Sequence, residues 1–317
     1  MSSFTATNIL KSNPWVLHMK ILVTGSNGLL GQKLTELLEN DQSVELISTA
    51  SRPPALPSNR GKFSLLDITD AAAVDRIVEE VKPDVIINTA AMTQVDQCET
   101  QREACWKANV TAVEYLVKAA KRNNAHLIHV STDFIFDGTK ELLDENAVPN
   151  PVNFYGDSKL AGEKVILESD ISWSILRTVL VFGVTKDMSR SNIVLWVKKS
   201  LEQGKTIQVV SDQWRTPTLA EDLAMGCYLA AQKKAKGIYN ISGKDYLSAY
   251  DIAICTAEFF KLDKSLIKET DSTKFTQPAR RPPRTGFIID KARKELGYEP
   301  HSFEEGLRVL ASQLPHA

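Results

Sequence analysis

Eight residues near the start of the chain, Thr24-Gly25-Ser26-Asn27-Gly28-Leu29-Leu30-Gly31, restrict its fold more than any other segment. They follow the short apolar run Lys20-Ile21-Leu22-Val23 and lead into a stretch with apolar residues at Leu30, Leu34, Leu37 and Leu38, a helical spacing. Strand, glycine turn and helix in that order open a parallel α/β sheet. Gly25 permits the tight turn, Gly28 lets backbone N–H groups approach a pyrophosphate, and Gly31 lets the helix pack closely on the strand. A diphosphate then lies at a helix N-terminus, where free N–H groups and the macrodipole favour an anion. Glycine triplets also occur in plain turns; the placement between strand and helix selects the dinucleotide reading, with Gly25 to Gly31 as the contacting loop.

The alternation continues. Val44-Glu45-Leu46-Ile47 reads as a second strand, followed by a loop through Pro53, Pro54 and Pro57, and Lys62 to Leu66 as a third. Thr69 begins a helix with Asp70 in its first turn. Val85-Ile86-Ile87 and Leu127-Ile128-His129-Val130 are continuous apolar runs, as expected of strands covered on both faces. One helix from about Gln101 to Arg122 separates them, and a helix from Tyr155 to Glu168 precedes the strand Ser174-Ile175-Leu176. The class is α/β: a Rossmann-like, doubly wound parallel sheet with right-handed crossovers. After Phe182 the regularity breaks into helices at Asn192–Glu202, Ala220–Ala231 and Ala249–Phe260, with Arg280-Arg281-Pro282-Pro283-Arg284 in a loop. The expected division is a dinucleotide-binding domain over 19–182, rejoined by 218–242, and a smaller C-terminal α/β substrate lobe from 183–217 and 243–317. Residues 1–18 carry one basic residue, Lys11, and no long apolar stretch, so they read as a disordered extension with Met19 opening the domain.

Charge removes several function classes. Thirty-eight basic and 39 acidic side chains leave a net charge of -1, which favours neither nucleic acid nor an anionic membrane. No apolar run approaches the roughly 20 residues that span a bilayer. Cys98, Cys105, Cys227 and Cys255 form no C-x-x-C pair and have no metal-ligand spacing with histidine, which fits a reduced, cytoplasmic compartment and no metal.

Which dinucleotide binds should be decided after the second strand, where an acidic residue would take a ribose 2′-hydroxyl. The chain has Ser48-Thr49-Ala50-Ser51-Arg52 there. Ser51 and Arg52 suit a 2′-phosphate, so NADP(H) is expected over NAD(H); the alternative is an Arg52 that points into solvent. Asp67-Ile68 follows the third strand, where Asp67 either accepts the adenine amino group or caps the next helix.

Tyr155 and Lys159 are four apart and share a helix face. A phenol titrates near about 10, and a cation about 5 Å away at an effective dielectric near 20 contributes about 3 kcal/mol, roughly two units. Lys159 is therefore expected to bring Tyr155 toward neutrality as a general acid. Y-x-x-x-K also arises by chance; Thr132, at the end of the Leu127–Val130 strand, favours the catalytic reading because its hydroxyl can polarise the same carbonyl. Asn109, in the preceding helix, either holds a water linked to Lys159 or is a buried structural amide. His126 and His129 lie on opposite faces of one strand, so they do not share a metal.

At these residues the chain resembles the extended short-chain dehydrogenase/reductases, and within them the dTDP-4-dehydrorhamnose reductases. The likeness is carried by Asn88-Thr89-Ala90-Ala91-Met92-Thr93-Gln94-Val95-Asp96, Ser131-Thr132-Asp133-Phe134-Ile135-Phe136-Asp137-Gly138, Pro151 to Glu163, and Asp212-Gln213-Trp214-Arg215-Thr216-Pro217-Thr218. It implies that Thr132, Tyr155 and Lys159 form the catalytic set, that Ala90 and Ala91 lie beside the cofactor, and that the second lobe takes a nucleotide-linked sugar. The implied reaction is hydride transfer from NADPH to the C4 ketone of dTDP-4-dehydro-L-rhamnose. Asn192, Arg215 and Arg281 are the implied contacts to diphosphate or sugar, and a homodimer is left open. One departure stands out: after Leu176-Arg177-Thr178 the reductase pattern carries a Trp that packs on the sugar, where this chain has Val179-Leu180-Val181-Phe182. Two other readings share the motifs: an NADP-binding regulatory subunit like that of methionine adenosyltransferase, and a nucleotide-sugar epimerase or dehydratase, which would retain NAD(H).

Overall fold

Seven runs of chain, most of them buried and the edge run Lys62–Leu65 open to solvent, become the parallel strands of one sheet. The structure is a computed structural model and describes residues 18–55, 60–186 and 192–314; the expected N-terminal extension, apart from His18, lies outside these, as does Pro57. The strands are β1 (Met19–Thr24), β2 (Val44–Ala50), β3 (Lys62–Leu65), β4 (Val85–Asn88), β5 (His126–Thr132), β6 (Trp173–Thr178) and β7 (Gly237–Asn240). Their order across the sheet is β3-β2-β1-β4-β5-β6-β7, every neighbour parallel. The order reverses between β1 and β4, which is where open α/β sheets bind ligands.

Period-two alternation assigns each strand residue to one of two cores. Ile21, Val23, Ile87 and Ile128 face the layer of α1 (Leu29–Glu39) and α8 (Ala220–Lys233), with Leu34, Leu38, Leu223 and Cys227. Leu22, Ile86, Leu127 and Ile175 face α2 (Ala71–Val81), α5 (Ala112–Asn123) and α6 (Phe154–Leu167), with Val74, Leu116 and Ile166.

Helix starts follow local capping chemistry. Asp70 caps α2 by accepting from the N–H groups of Ala72 and Ala73, so the helix begins two residues later than Thr69. The single helix expected over 101–122 is instead α4 (Arg102–Trp106), one π-helical turn at Lys107–Thr111, and α5, with a further short helix, α3 (Val95–Thr100), before it. The reason is tertiary: Gly162 of α6 presses on this turn so closely that a Cβ there would stand 2.5 Å from the Asn109 carbonyl oxygen. Beyond the sheet, α7 (Ile193–Glu202) and α9 (Ala249–Phe259) enclose a separate core of Val197, Leu201, Ile207, Val209, Ala253 and Ile267, over the parallel pair Ile207–Val210 and Ile267–Thr270. The chain ends in α10 (Asp290–Leu296) and α11 (Phe303–Ser312).

Candidate active site

The glycine loop has the geometry that the sequence requires of it. Gly25 sits at φ +75, and a Cβ on it would be 2.8 Å from the Ala90 backbone, so β1 and β4 can deliver their loops side by side only through glycine here. A Cβ on Gly31 would stand 2.2 Å from the Gly25 carbonyl oxygen, which fixes the close approach of α1 to the loop. Gly28 is the N-cap of α1 and, unlike Asp70 of α2 or Asn153 of α6, offers no side chain to the first turn. Leu29 and Leu30 thus begin a helix whose first N–H groups face outward from the strand ends, which fits a dinucleotide diphosphate. Asn27 holds the loop after β2, donating to the carbonyls of Arg52 and Pro53 and accepting from Ala55 N–H, while Ser26 N–H donates to Thr49 O. Strand β2 runs to Ala50, so only Ser51 and Arg52 of the selectivity segment lie past its end, and both are exposed.

Thr132 ends β5 and Tyr155 is the second residue of α6. Gly156 brings them together: a Cβ there would be 2.2 Å from Phe134 O, so only glycine lets α6 rest on the turn Asp133–Ile135. The Thr132 hydroxyl lies against the Tyr155 phenol and donates to Asp133 Oδ1 at 3.0 Å. Burial raises the phenol above its ordinary value, Thr132 offsets part of the rise, and Asp133 adds to it. Lys159 departs from expectation. Its Nζ turns to the strand below, bonding Val130 O at 2.8 Å and meeting His129 Nε2 at 3.1 Å, burial lowers it to about 8, and the largest influences on Tyr155 come from other groups.

Asn109 binds both backbone groups of Met92, at 2.9 and 3.0 Å, and donates to Ser158 Oγ at 2.9 Å. It therefore fixes the segment after Ala90 and Ala91. Asp67 makes a local turn with Thr69, and the cap of α2 is Asp70. Asn192 caps α7 through Leu195 N–H and donates to Gly183 O. Arg215 is buried and engaged by the carbonyls of Trp214, Pro282 and Pro283, with its Nε 3.6 Å from Asp133. Arg281 forms a two-pronged pair with Asp96, at 2.5 and 2.7 Å. All three implied sugar contacts thus bond protein groups. At the departure from the reductase pattern, Val179 and Phe182 are core residues, Phe182 packing edge-on against Phe303 at 5.2 Å.

Sequence reasoning assigned no hydrogen-bonding role to Asn88, His129, Ser158 or Asp133. Thr24, Asn88 and His129 are register partners across β1, β4 and β5, a row that only pairing reveals. His126 sits between the hydroxyls of Ser172 and Ser174, away from His129. No cluster of metal-ligating side chains occurs among the described residues, and no helix there is long and apolar enough to cross a membrane.

Over residues 19–315 the chain matches the family model described as the RmlD substrate binding domain. It is similar to methionine adenosyltransferase 2 subunit beta of Xenopus laevis, 34% identical over 82% of this chain and 78% of that one. It is also similar to dTDP-4-dehydrorhamnose reductase of Aggregatibacter actinomycetemcomitans, 31% identical over 92% of this chain and 98% of that one. The solved structure of dTDP-4-dehydrorhamnose reductase from Bacillus anthracis in complex with NADP superposes with a TM-score of 0.81 at 27% identity, covering 94% of this chain and 100% of that one.

Proposed function

The chain belongs to the RmlD substrate binding domain family, and from that membership we propose that it uses NADPH to reduce the 4-keto group of a nucleotide-linked sugar, with dTDP-4-dehydro-L-rhamnose as the reference substrate. The observation that carries the reading is the meeting of Thr132 and Tyr155 at the carboxyl rim of β5, two strands from the glycine loop. The α1 N-terminus would hold the diphosphate, Ser51 and Arg52 the 2′-phosphate, Asp67 and Ile68 the adenine side, and Ala90 and Ala91 the middle of the cofactor. A similar reductase in complex with NADP supports the choice of dinucleotide. When bound, NADPH supplies the hydride.

The protein supplies the proton. Burial keeps Tyr155 protonated, so its phenol is available as the acid for the developing alkoxide, and the Thr132 hydroxyl beside it, once its proton turns from Asp133 to the substrate, polarises the same oxygen. The 2′-phosphate reading of Arg52 and the sugar itself are tested together by a panel of 4-keto nucleotide sugars offered with NADPH and with NADH. Absorbance of NADPH should fall with at least one of them. Tyr155→Phe should lower kcat by about 10²–10⁴-fold while the variant still binds NADPH.

A second reading has its own support: the 34% identity to a methionine adenosyltransferase subunit, together with a core-packed Val179–Phe182 in place of a sugar platform. No oxidation of NADPH with any sugar in the panel, and a stable complex with a methionine adenosyltransferase catalytic subunit, would favour that module.

A further inference from the structure

The glycine loop and the loop after β2 are joined by one side chain. Asn27 Nδ2 donates to Pro53 O at 2.9 Å and to Arg52 O at 3.3 Å, and its Oδ1 accepts from Ala55 N–H at 2.8 Å. A primary amide has two N–H donors and one carbonyl oxygen, so both donors and the oxygen are engaged on residues 52–55. Aspartate at this place would lack the donors, and leucine would lack both kinds of group.

The clamped segment is stiff by its own chemistry. Pro53 keeps Arg52 out of the helical region, Pro54 does the same for Pro53, and each proline fixes its own φ. Upstream, β2 pairs with β3 as far as Ala50, whose carbonyl accepts from Leu66 N–H at 2.9 Å. Arg52 is therefore fixed in its backbone on both sides while its side chain is exposed.

The shape of the glycine loop does not depend on the Asn27 side chain. Gly28 N–H donates to Gly25 O and Ser26 N–H to Thr49 O, each at 3.0 Å, and the buried Gln32 donates through Nε2 to the Asn27 carbonyl at 2.9 Å. With the amide removed, these bonds keep the α1 N-terminus in place. What the amide governs is the loop that carries Arg52.

We propose that Asn27 is a positioning residue that sets the preference for NADPH over NADH, by holding residues 52–55 against the glycine loop so that the Arg52 guanidinium is available to a ribose 2′-phosphate. The inference rests on the reading of Ser51 and Arg52 as the 2′-phosphate site. NADPH and NADH differ only in that phosphate, so a residue that acts through Arg52 weakens one and not the other. Pairing of a guanidinium with a phosphate is charge-assisted, two-pronged and sensitive to placement. A loop released from Asn27 has to be ordered when the phosphate arrives, and that cost is subtracted from the NADPH affinity alone.

The test is fluorescence titration of the full-length chain with NADPH and with NADH, for the wild type, Asn27→Ala, Arg52→Ala and the double variant. Asn27→Ala should raise the NADPH dissociation constant about tenfold and leave that for NADH within about twofold. In the Arg52→Ala background the same substitution should change the NADPH constant by less than about twofold, because the two residues act as one unit. Equal losses for both dinucleotides in Asn27→Ala, or an undiminished effect in the Arg52→Ala background, overturn the proposal. A preference for NADPH that survives Arg52→Ala unchanged sinks the 2′-phosphate reading itself, whereas a preference lost in Arg52→Ala and kept in Asn27→Ala sinks the role of Asn27 alone. Asn27→Ser, which keeps a polar side chain of shorter reach, gives the same comparison if Asn27→Ala does not fold.

Discussion

Lys159 sits where a cation is disfavoured, and the consequence can be read from stability. Its proton is held more weakly in the folded chain, near about 8, than in the unfolded chain, at an ordinary 10.5. The penalty is therefore complete below about pH 8, shrinks as pH rises, and is gone above about 10.5, amounting to about 3 kcal/mol. Lys159→Met should remove that term: the gap in urea-unfolding free energy between variant and wild type should narrow by about 3 kcal/mol between pH 8 and 10.5, as the wild type regains its loss. Reductase activity should fall with it. A constant gap across that range would mean that the lysine is charged throughout. Tyr155-Gly156-Asp157-Ser158-Lys159 and Thr132 were legible as a set because helical spacing and a strand end are local properties. The partner of Lys159 was not, since His129 lies thirty residues away and meets it only through the α6 layer.

At the scale of elements, two glycines set two interfaces with different jobs. Gly31 lets α1 close on the nucleotide loop, and Gly156 lets α6 close on the turn after β5. A Cβ at either would stand 2.2 Å from a carbonyl oxygen, so each Gly→Ala must push a helix away, at a stability cost of about 1–3 kcal/mol. Their functional effects should separate. Gly31→Ala should raise the NADPH dissociation constant at least about tenfold, since in the proposed binding mode the displaced helix carries the diphosphate donors. Gly156→Ala should leave that constant within about twofold and lower kcat by about 100-fold, because Tyr155 moves from Thr132. Fluorescence titration with NADPH beside steady-state kinetics distinguishes the two, and equal losses of affinity would remove the assignment. The first interface was visible in the strand-glycine-helix pattern. The π-helical turn at Lys107–Thr111 was not, because apolar periodicity runs through it and the cause is contact with Gly162.

Across the whole molecule, the loop 279–284 ties the C-terminal part of the chain to the rim of the sheet where Thr132 and Tyr155 lie. Arg281 grips Asp96 of α3, Asn153 at the head of α6 donates to Arg280 O, and the carbonyls of Pro282 and Pro283 hold Arg215 beside Asp133. The Asp96 pair is partly exposed, so its removal should cost less than about 1 kcal/mol of stability. Its effect should appear in binding instead. Asp96→Asn should raise KM for the sugar several-fold while KM for NADPH stays within about twofold, as measured by initial rates. A Tm drop of many degrees, or equal changes in both constants, would show that the pair serves the fold and not the placement of the loop.

Local pattern determined the sheet class, the glycine cradle, the phenol and its helix, because strand and helix periods, caps and glycine turns are written in neighbouring residues. Tertiary packing alone decided the roles of Asn109, Arg215, Arg281 and His129. A long polar side chain takes whichever donors and acceptors the fold brings within 3 Å or so, and those arrive from other strands and distant loops. Sequence named the groups able to act; distance chose which of them bond substrate-side loops, which bond each other, and which hold a proton in the dark of the core.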